Sequence, residues 1–208
     1  MSNIMKTACI VLAAGRSSRM GPANKLLAEL EGKPMVRRVV EAAVSSRASP
    51  VIVVTGHQAP EVAAALSGCP VSIVLNAEYA LGLSSSLKCG IRSVPEDCRG
   101  AVIMLGDMPG ITAANIDNII SVFESGGGSR IVLPLHNGKR GNPVLWPRRL
   151  FPDLLRLEGD VGAKALLVAY EADVETVELA TAAIHVDIDT PQDLARARET
   201  AAGAKPQP

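Results

Sequence analysis

The sequence predicts an α/β protein with a mostly parallel central sheet and helices on both of its faces. Strand-like and helix-like segments alternate along most of the chain, and this order favours right-handed strand–helix–strand units. Apolar residues make up 48% of the 208 residues, whereas aromatic residues make up only 2%. The core must therefore consist of alanine, valine, leucine and isoleucine, a composition that suits a parallel sheet covered by helices.

The first half of the chain predicts four strands and four helices in alternation. Pro34 suits the first turn of a helix, where its missing N–H group would have no partner, and the serines from Ser84 onward offer hydroxyls that can cap another helix. The β-branched run at 51–55 is typical of a strand. The expected strands are 7–12, 51–55, 71–75 and 101–105, and the expected helices are 34–43, 60–66, 84–92 and 112–123.

The second half is less regular, and a turn rich in glycine and basic residues separates its first two strands. The expected strands are 130–135, 143–146, 173–178 and 184–188, and the expected helices are 162–170 and 191–201. A chain of this length predicts one domain, which we place over residues 1–201. Residues 202–208 contain two prolines and are expected to form a flexible, frayed tail.

Composition argues against several classes of partner. The formal net charge is zero, whereas proteins that bind nucleic acid or membrane surfaces normally carry a basic excess. The four cysteines form no C-x-x-C pair, which argues against a zinc site. The sequence shows neither a signal peptide nor an apolar stretch of the ~20 residues that span a bilayer. We therefore expect a cytoplasmic protein with reduced thiols that binds neither nucleic acid nor membrane.

The loop after the first strand carries the strongest functional signal. Residues 12–21 read LAAGRSSRMG, and Lys25 follows four residues later. Small residues let backbone N–H groups approach phosphate oxygens, and Arg16, Arg19 and Lys25 add positive charge. Because ligands bind beyond the carboxyl ends of strands in open α/β sheets, the loop predicts a phosphate-rich ligand. The alternative is a basic surface turn.

This loop matches neither of the two common phosphate-binding motifs. Ser17 stands where a G-x-G-x-x-G dinucleotide loop needs its second glycine. Pro22 follows Gly21, where a Walker A loop needs lysine and then serine or threonine.

Two acidic segments carry the candidate metal ligands. Asp107 lies just past the strand at 101–105, where a carboxylate can face the ligand and hold Mg²⁺. The alternative is an aspartate that caps the turn at 108–110. Asp187 and Asp189 precede the last helix, and either Asp189 or Thr190 could instead cap that helix. Alternate residues of a strand share a face, so the sequence does not choose between Asp187 and Asp189.

Three further segments contain glycine beside polar residues. Gly82 and the serines after it follow the third strand, and three serines can also serve as helix caps. In the second half, Arg140, Gly141 and Asn142 precede a strand, and Asp160 lies in a GDVGA segment. Turn formation alone also explains these two glycine-containing segments.

Together these motifs resemble the nucleotidyltransferases, and within them most closely the MobA-like molybdenum cofactor nucleotidyltransferases of the cytidylyl branch. The resemblance rests on L-A-[AG]-G-x-S-x-R-M-G-x-x-K at 12–25, G-D-x-P at 106–109 and D-I-D-T-P-x-D at 187–193, and it extends from Ala8 to Arg198. It implies a Rossmann-like, three-layer α/β/α (GT-A-like) fold. It also divides the domain into a nucleotide-binding half, about 1–125, and an acceptor-binding half, 126–201.

The resemblance assigns a role to each candidate residue. The catalytic residues are Arg19, Lys25 and Asp107. The nucleotide is bound by Leu12, Ala13, Ala14, Gly15, Arg16, Lys25, Gly82 and one or both of Ser85 and Ser86. The acceptor is bound by Arg140, Gly141, Asn142 and Asp160, although many relatives carry histidine where this chain has Asn142. Mg²⁺ is the implied cofactor, and its ligands are Asp107 and Asp189.

The implied reaction transfers CMP from CTP to molybdopterin, the organic part of the molybdenum cofactor, with release of pyrophosphate. Ala14 favours CTP, because the guanylyl branch usually carries glycine there and a side chain would crowd a purine. The implied partners are CTP, the cofactor and a client molybdoenzyme of the xanthine dehydrogenase type. The alternatives are a guanylyltransferase, a sugar-phosphate nucleotidyltransferase, and a non-catalytic carrier that hands the finished cofactor to a client. The loop is rich in glycine and serine and does not need Arg19 and Lys25 for packing. We therefore expect replacement of either residue to lower the reaction rate far more than the stability of the fold.

Overall fold

The computed structural model describes residues 5–16 and 24–203. Several sequence-based expectations lie outside these residues: Arg19, its loop neighbours Ser17 and Ser18, and the end of the expected tail at 204–208. The last helix, by contrast, runs as far as Gly203.

Within residues 5–16 and 24–203, a central sheet of eight strands organises the domain. The strands are β1 (Lys6–Ala13), β4 (Val51–Thr55), β5 (Ser72–Leu75), β6 (Cys98–Leu105), β7 (Ile131–His136), β8 (Lys139–Arg140), β9 (Val144–Pro147) and β10 (Val174–Glu178). Their order is β10-β7-β9-β6-β1-β4-β5, and β8 pairs with β7. The pairs β1–β4, β1–β6, β4–β5 and β7–β10 are parallel, whereas β9 runs antiparallel to both β6 and β7. The expectation of a mostly parallel sheet is confirmed.

Helices cover both faces of this sheet. They are α1 (Met35–Val44), α2 (Ala59–Ala65), α3 (Leu83–Arg92), α4 (Ala113–Ser125), α5 (Phe151–Leu154) and α6 (Pro191–Gly203). Val11 and Val53 face one core with α1 and α4, while Ile10 and Val54 face a second core with α3 and Trp146. Successive strand residues point to opposite faces, so these alternating residues produce the three-layer α/β/α arrangement.

Local sequence explains where several of these helices begin. Thr112 and Asn115 form a reciprocal capping box at the start of α4. Thr190 and Asp193 form the same arrangement at the start of α6, where the Thr190 N–H group donates to Asp193 at 3.0 Å and the Thr190 hydroxyl accepts from the Asp193 N–H group at 3.2 Å. Thr190 therefore caps α6, and Asp189 is not needed for that task.

Two expected elements in the second half are wrong. Residues 162–170 do not form an α-helix but a 3-10 turn, Ala163–Leu166, whose N–H groups bond three residues back. A 3-10 turn rises more per residue than an α-helix, so the chain advances toward β10 over a few residues while Ala163 and Leu167 stay buried. Residues 184–188 are not a strand, because 182–185 form another 3-10 turn and the N–H group of Ile188 bonds to the carbonyl of Asp107 instead of to a neighbouring strand.

A short hairpin before α1 was not expected from the sequence. β2 (Glu29–Leu30) and β3 (Lys33–Pro34) pair antiparallel around Glu31 and Gly32, which both have positive φ. Such a two-residue turn usually carries asparagine or aspartate before glycine, so Glu31 gave little signal. Leu30 from the hairpin packs with Met35, Ile188 and Leu194, and this cluster holds the segment before α6 against the hairpin and the start of α1.

Within the described residues, none of the helices has the length and the apolar character needed to cross a membrane. The expectation of a signal-free cytoplasmic protein stays a prediction.

The close approach of α3 to the sheet yields a stability prediction. A Cβ atom at Gly90 would lie 2.5 Å from Cγ2 of Ile10 and 3.1 Å from Cγ2 of Val54. Gly90→Val should therefore overpack this contact and lower the free energy of unfolding by about 3 kcal/mol. Urea denaturation would measure the change. Lys88→Val on the same helix is the control for β-branching and should cost less than about 1 kcal/mol; equal losses for the two variants would contradict the packing explanation.

Candidate active site

A cavity of about 620 Å³ opens at the carboxyl ends of β1 and β6. The register of these parallel strands places Leu12 beside Leu105, so the segments that follow the two strands emerge at the same edge. Many of the residues that the sequence predicted to bind substrate line this cavity: Leu12, Ala14, Gly15, Arg16, Lys25, Gly82, Ser86, Asp107, Asp160 and Asp189. Ala13 faces the buried core of the sheet.

Lys25 connects two carboxylates on one wall of the cavity. Its Nζ lies 2.5 Å from Oδ2 of Asp107 and 2.5 Å from Oδ1 of Asp189. The side chains of Lys25 and Asp107 are only 13% and 16% exposed. Burial lowers the pKa of Lys25, but the two carboxylates together raise it by more than burial lowers it. The net pKa therefore lies above that of a free lysine. Lys25 is therefore a charged group that also binds two segments of the fold together.

Backbone hydrogen bonds position both carboxylates. The N–H group of Gly106 donates to the carbonyl of Leu12 at 3.0 Å, which carries the β1–β6 pairing to the residue before Asp107. The N–H group of Ile188 donates to the carbonyl of Asp107 at 3.0 Å, which brings Asp189 to the same wall. Asp107 therefore does not serve as a turn cap, because its side chain bonds to Lys25.

The structure distinguishes the two aspartates that precede α6. Asp189 faces Lys25 at the cavity, whereas Asp187 is exposed and does not line it. Asp187 interacts instead with Lys164: partial burial lowers the pKa of Lys164, and the negative charge of Asp187 raises it by a smaller amount. The two aspartates do not share a face, because the segment that carries them is not a strand.

The chemistry of this wall suits a hard divalent cation. Oδ1 of Asp107 is buried and has no hydrogen-bond partner among the described residues, so it retains lone pairs for a ligand. Across those same residues there is no group of three or more histidine, cysteine or acidic side chains that could hold a metal by itself. Mg²⁺ is commonly bound by one or two carboxylates, with substrate phosphates and water as the other ligands, and Asp107 and Asp189 fit that pattern.

Tyr79, an aromatic residue that the sequence interpretation missed, also lines the cavity. The guanidinium carbon of Arg16 lies 5.6 Å from the centroid of the Tyr79 ring, a cation–π distance. The ring of His57 is 6.0 Å from that of Tyr79, but His57 does not line the cavity. The sequence offered one indication of Tyr79: only 2% of the residues are aromatic, and this tyrosine lies in a loop just after a strand, where ligands bind.

The serines after Gly82 differ in their surroundings. Asn76 donates to the hydroxyls of Ser85 at 2.9 Å and Ser86 at 3.0 Å. The Ser85 hydroxyl also bonds to backbone carbonyls of its own turn, including that of Gly82 at 2.8 Å, and it does not line the cavity. Ser86 does line it, so geometry favours Ser86 over Ser85 as a ligand contact, and Asn76 orients it.

The candidate acceptor residues separate into two groups. Asp160 lies on the cavity wall, whereas Arg140, Gly141 and Asn142 do not line it. Arg140 forms a two-pronged ion pair with Glu171, with one contact of 2.8 Å. A Cβ atom at Gly141 would lie 2.6 Å from atoms of Ile184, and the N–H group of Asn142 bonds to the Ile184 carbonyl. The acceptor role of these three residues stays a prediction.

The position of Lys25 and Asp107 at the carboxyl edge of the sheet agrees with the class that the motifs predicted, the nucleotidyltransferases. Residues 9–174 match the protein family described as "MobA-like NTP transferase domain". The chain belongs to this family, as the sequence motifs predicted.

Full-length relatives support the same assignment. The chain is 32% identical over 193 residues to the molybdenum cofactor cytidylyltransferase of Escherichia coli (strain K12), covering 92% of this chain and 95% of that protein. A homologue of Mycobacterium tuberculosis Rv0371c from Mycobacterium sp. strain JC1 has a similar structure, with a TM-score of 0.85, 31% identity and coverage of 96% and 98% of the two chains. The complex of Rv0371c from M. tuberculosis H37Rv with manganese superposes with a TM-score of 0.81 at 26% identity, covering 94% of this chain and 100% of that one. These comparisons establish a nucleotidyltransferase.

The buried position of Lys25 yields a second stability prediction, which differs from the expectation based on sequence. Lys25→Met leaves two neighbouring carboxylates without their shared cation, so it should lower the free energy of unfolding at pH 7 by about 3 kcal/mol. Lys33→Met, which removes the more exposed ion pair with Glu41, should cost less than about 1 kcal/mol. Urea denaturation of the two variants would measure both values.

The same prediction has a pH dependence. The pKa of Lys25 is raised in the folded protein, so its contribution is complete below the pKa of an unfolded lysine, about 10.4. The contribution is lost only as the pH rises through the folded-state pKa. The difference between wild type and Lys25→Met should therefore be constant near neutral pH and narrow only in the alkaline range, and a difference that vanished at pH 8 would contradict it.

Proposed function

We propose that this protein transfers CMP from CTP to the phosphate of molybdopterin or the molybdenum cofactor and releases pyrophosphate. An oxygen of the acceptor phosphate attacks the α-phosphorus of CTP. A new phosphorus–oxygen bond forms, and the bond from the α-phosphorus to the oxygen of the β-phosphate breaks. Pyrophosphate carries away the electron pair, so the balance requires no oxidant and no further reactant.

The convergence of Lys25, Asp107 and Asp189 on one cavity wall is the observation that carries this proposal. Such an arrangement suits a reaction in which charge shifts between phosphates, because a cation and metal-binding carboxylates lie beside the reacting groups. The choice of CTP and of a molybdopterin acceptor is supported by the full-length similarity to the E. coli cytidylyltransferase.

The chain's own residues supply positioning and charge. A phosphate nucleophile is already ionised at neutral pH, so no serine or histidine needs to act as a base. Lys25 can neutralise charge on the phosphates once its two carboxylates have another cation to bind. Arg16 stands at the cavity rim over Tyr79, and Arg19, outside the described residues, is proposed to contact the same phosphates. Holding two substrates in line lowers the barrier by itself.

Asp107 and Asp189 are proposed to hold Mg²⁺, which when bound would neutralise phosphate oxygens and favour departure of pyrophosphate. The buried Oδ1 of Asp107, which has no hydrogen-bond partner among the described residues, supports this assignment. The manganese complex of a structural relative supports the choice of a divalent cation. Because Lys25 lies between the same carboxylates, the metal and the lysine compete for them.

The overall proposal is tested by incubating the protein with Mg²⁺, purified molybdopterin and either CTP or GTP, and by measuring pyrophosphate. Release with CTP supports the cytidylyltransferase. Release with GTP alone would replace it with a guanylyltransferase. Stabilisation by the finished cofactor without pyrophosphate release would indicate a carrier, since a ligand that binds the folded state raises its melting temperature.

Removal of one carboxylate charge tests the metal site. Asp107→Asn keeps the shape of the side chain and loses the charge that binds Mg²⁺, so turnover should fall at least a hundredfold. Asp187→Asn is the matched control, because Asp187 is exposed and outside the cavity, and it should keep activity within about twofold. Pyrophosphate release gives the rates, and Mn²⁺ titration by calorimetry reports binding independently. An Asp107→Asn variant with more than about a tenth of wild-type activity would remove Asp107 from this role.

Base selection is tested at the floor of the cavity. Ala14 is buried and lines the cavity, so Ala14→Gly should make room for a larger base and shift the preference toward GTP. One methyl group is worth about 1–3 kcal/mol in a pocket, which corresponds to a shift of roughly tenfold to a hundredfold. Competition between CTP and GTP in one reaction measures the ratio. An unchanged ratio would place base selection elsewhere, in the 82–86 segment.

A further inference from the structure

Two segments from different halves of the domain meet on the wall of the cavity. The first is the start of α3, where the hydroxyl and the N–H group of Ser84 both donate to the carbonyl of Gly159, at 2.7 Å and 3.2 Å. The N–H group of Leu83 donates to Oδ1 of Asp160 at 3.2 Å. We call this set of three hydrogen bonds, made by Leu83, Ser84, Gly159 and Asp160, the clasp.

The backbones at the clasp are in direct contact. Gly82 has a φ of +103°, and a Cβ atom there would lie 2.6 Å from the carbonyl carbon and oxygen of Gly159. A Cβ atom at Gly162 would lie 2.9 Å from Cδ2 of Leu83. Glycine is thus required at Gly82, where the neighbouring atoms are backbone, whereas a side chain at Gly162 would displace only the end of the Leu83 side chain. Gly159 has a φ of +69°, so its backbone conformation and not its packing favours glycine.

The clasp lies at the ligand cavity and not behind it. Gly82, Leu83 and Asp160 all line the cavity, whereas Ser84 is only 3% exposed and lies beneath that surface. The α3 helix receives no side-chain cap from its own first residues. Asp160 from the other half of the domain therefore fills that role, and its negative charge is favourable at a helix N-terminus.

We propose that Ser84 and Asp160 are positioning residues for the nucleotide: they hold the Gly82–Leu83 turn in its binding geometry by clasping it to the 159–162 loop. Asp160 then acts on the nucleotide side of the site, in addition to or in place of the acceptor contact expected from sequence. This inference rests on the proposed function, since it assumes that a nucleotide occupies the cavity. A turn fixed before binding loses less conformational entropy when the ligand arrives, so loosening the clasp weakens nucleotide affinity.

The experiment is isothermal calorimetry of CTP with Mg²⁺ and no acceptor, combined with melting temperatures. Ser84→Ala and Asp160→Ala should each raise the Kd for CTP about fivefold to tenfold. Asp160→Asn keeps an oxygen that can accept from Leu83, and asparagine caps helices about as well as aspartate, so its Kd should stay within about twofold of wild type. The Kd of the double variant Ser84→Ala/Asp160→Ala should be little higher than that of the single variant that binds CTP more weakly, because the two residues act through one contact.

Ser93→Ala provides the matched control. Ser93 ends the same helix, and its hydroxyl bonds to the Cys89 carbonyl at 3.0 Å, far along the helix from the clasp. This variant should lose a little stability, because it removes that hydrogen bond, but the Kd for CTP should not change. A role in stability alone would lower the melting temperatures of Ser84→Ala and Asp160→Ala and leave their Kd values at the wild-type level, which would overturn the proposal.

Two other outcomes also decide the question. If Asp160→Asn binds CTP as weakly as Asp160→Ala, the charge of Asp160 matters and not its hydrogen bond, and the clasp is rejected. If the wild-type protein itself fails to bind CTP, the proposed function and the clasp fall together. Wild-type binding with unchanged single variants overturns the clasp alone.

Discussion

The parallel pairing of β1 with β6 is the constraint on which the site depends. Its register sets Leu12 beside Leu105, and the bond from Gly106 to Leu12 extends the pairing by one residue. The loop after β1 and Asp107 must therefore emerge side by side. Because both strands are buried at the centre of the sheet, a shift of register by one residue would exchange their side chains between the two close-packed cores and disrupt the packing of both. Core packing thus fixes the relative position of the loop and the carboxylate.

The charges that meet at this edge stabilise one another, and they are also the groups that the proposed reaction uses. A buried ion costs several kcal/mol in lost hydration, and only close, well-oriented partners compensate that cost. Lys25 meets this requirement with two carboxylates at 2.5 Å. The arrangement holds two carboxylates beside the cavity before any ligand arrives, which is the position that the proposed cation site requires.

The two halves of the domain complete one site through a few backbone contacts. The segment before α6 reaches Asp107 through the N–H group of Ile188, and the 159–162 loop reaches α3 through the Gly159 carbonyl. Both segments come from the irregular half, where two expected elements proved to be 3-10 turns. The N–H group of Ile188, which a strand at 184–188 would have used to pair with a neighbouring strand, bonds to Asp107 instead. These contacts add to the pairing of β9 with β6, which joins the two halves within the sheet.

The sequence by itself determined the class of fold and much of the site. The β-branched run at 51–55 located that strand without error, and apolar runs located the other main strands to within a few residues. The local motifs pointed to the loop at 12–16, Lys25 and Asp107, most of which line the cavity. These features are encoded by neighbouring residues. Tertiary structure decided which of Asp187 and Asp189 reaches Lys25, which of Ser85 and Ser86 faces the cavity, and that β9 runs antiparallel. Each of these outcomes depends on pairing between segments far apart in the chain, which no local pattern records.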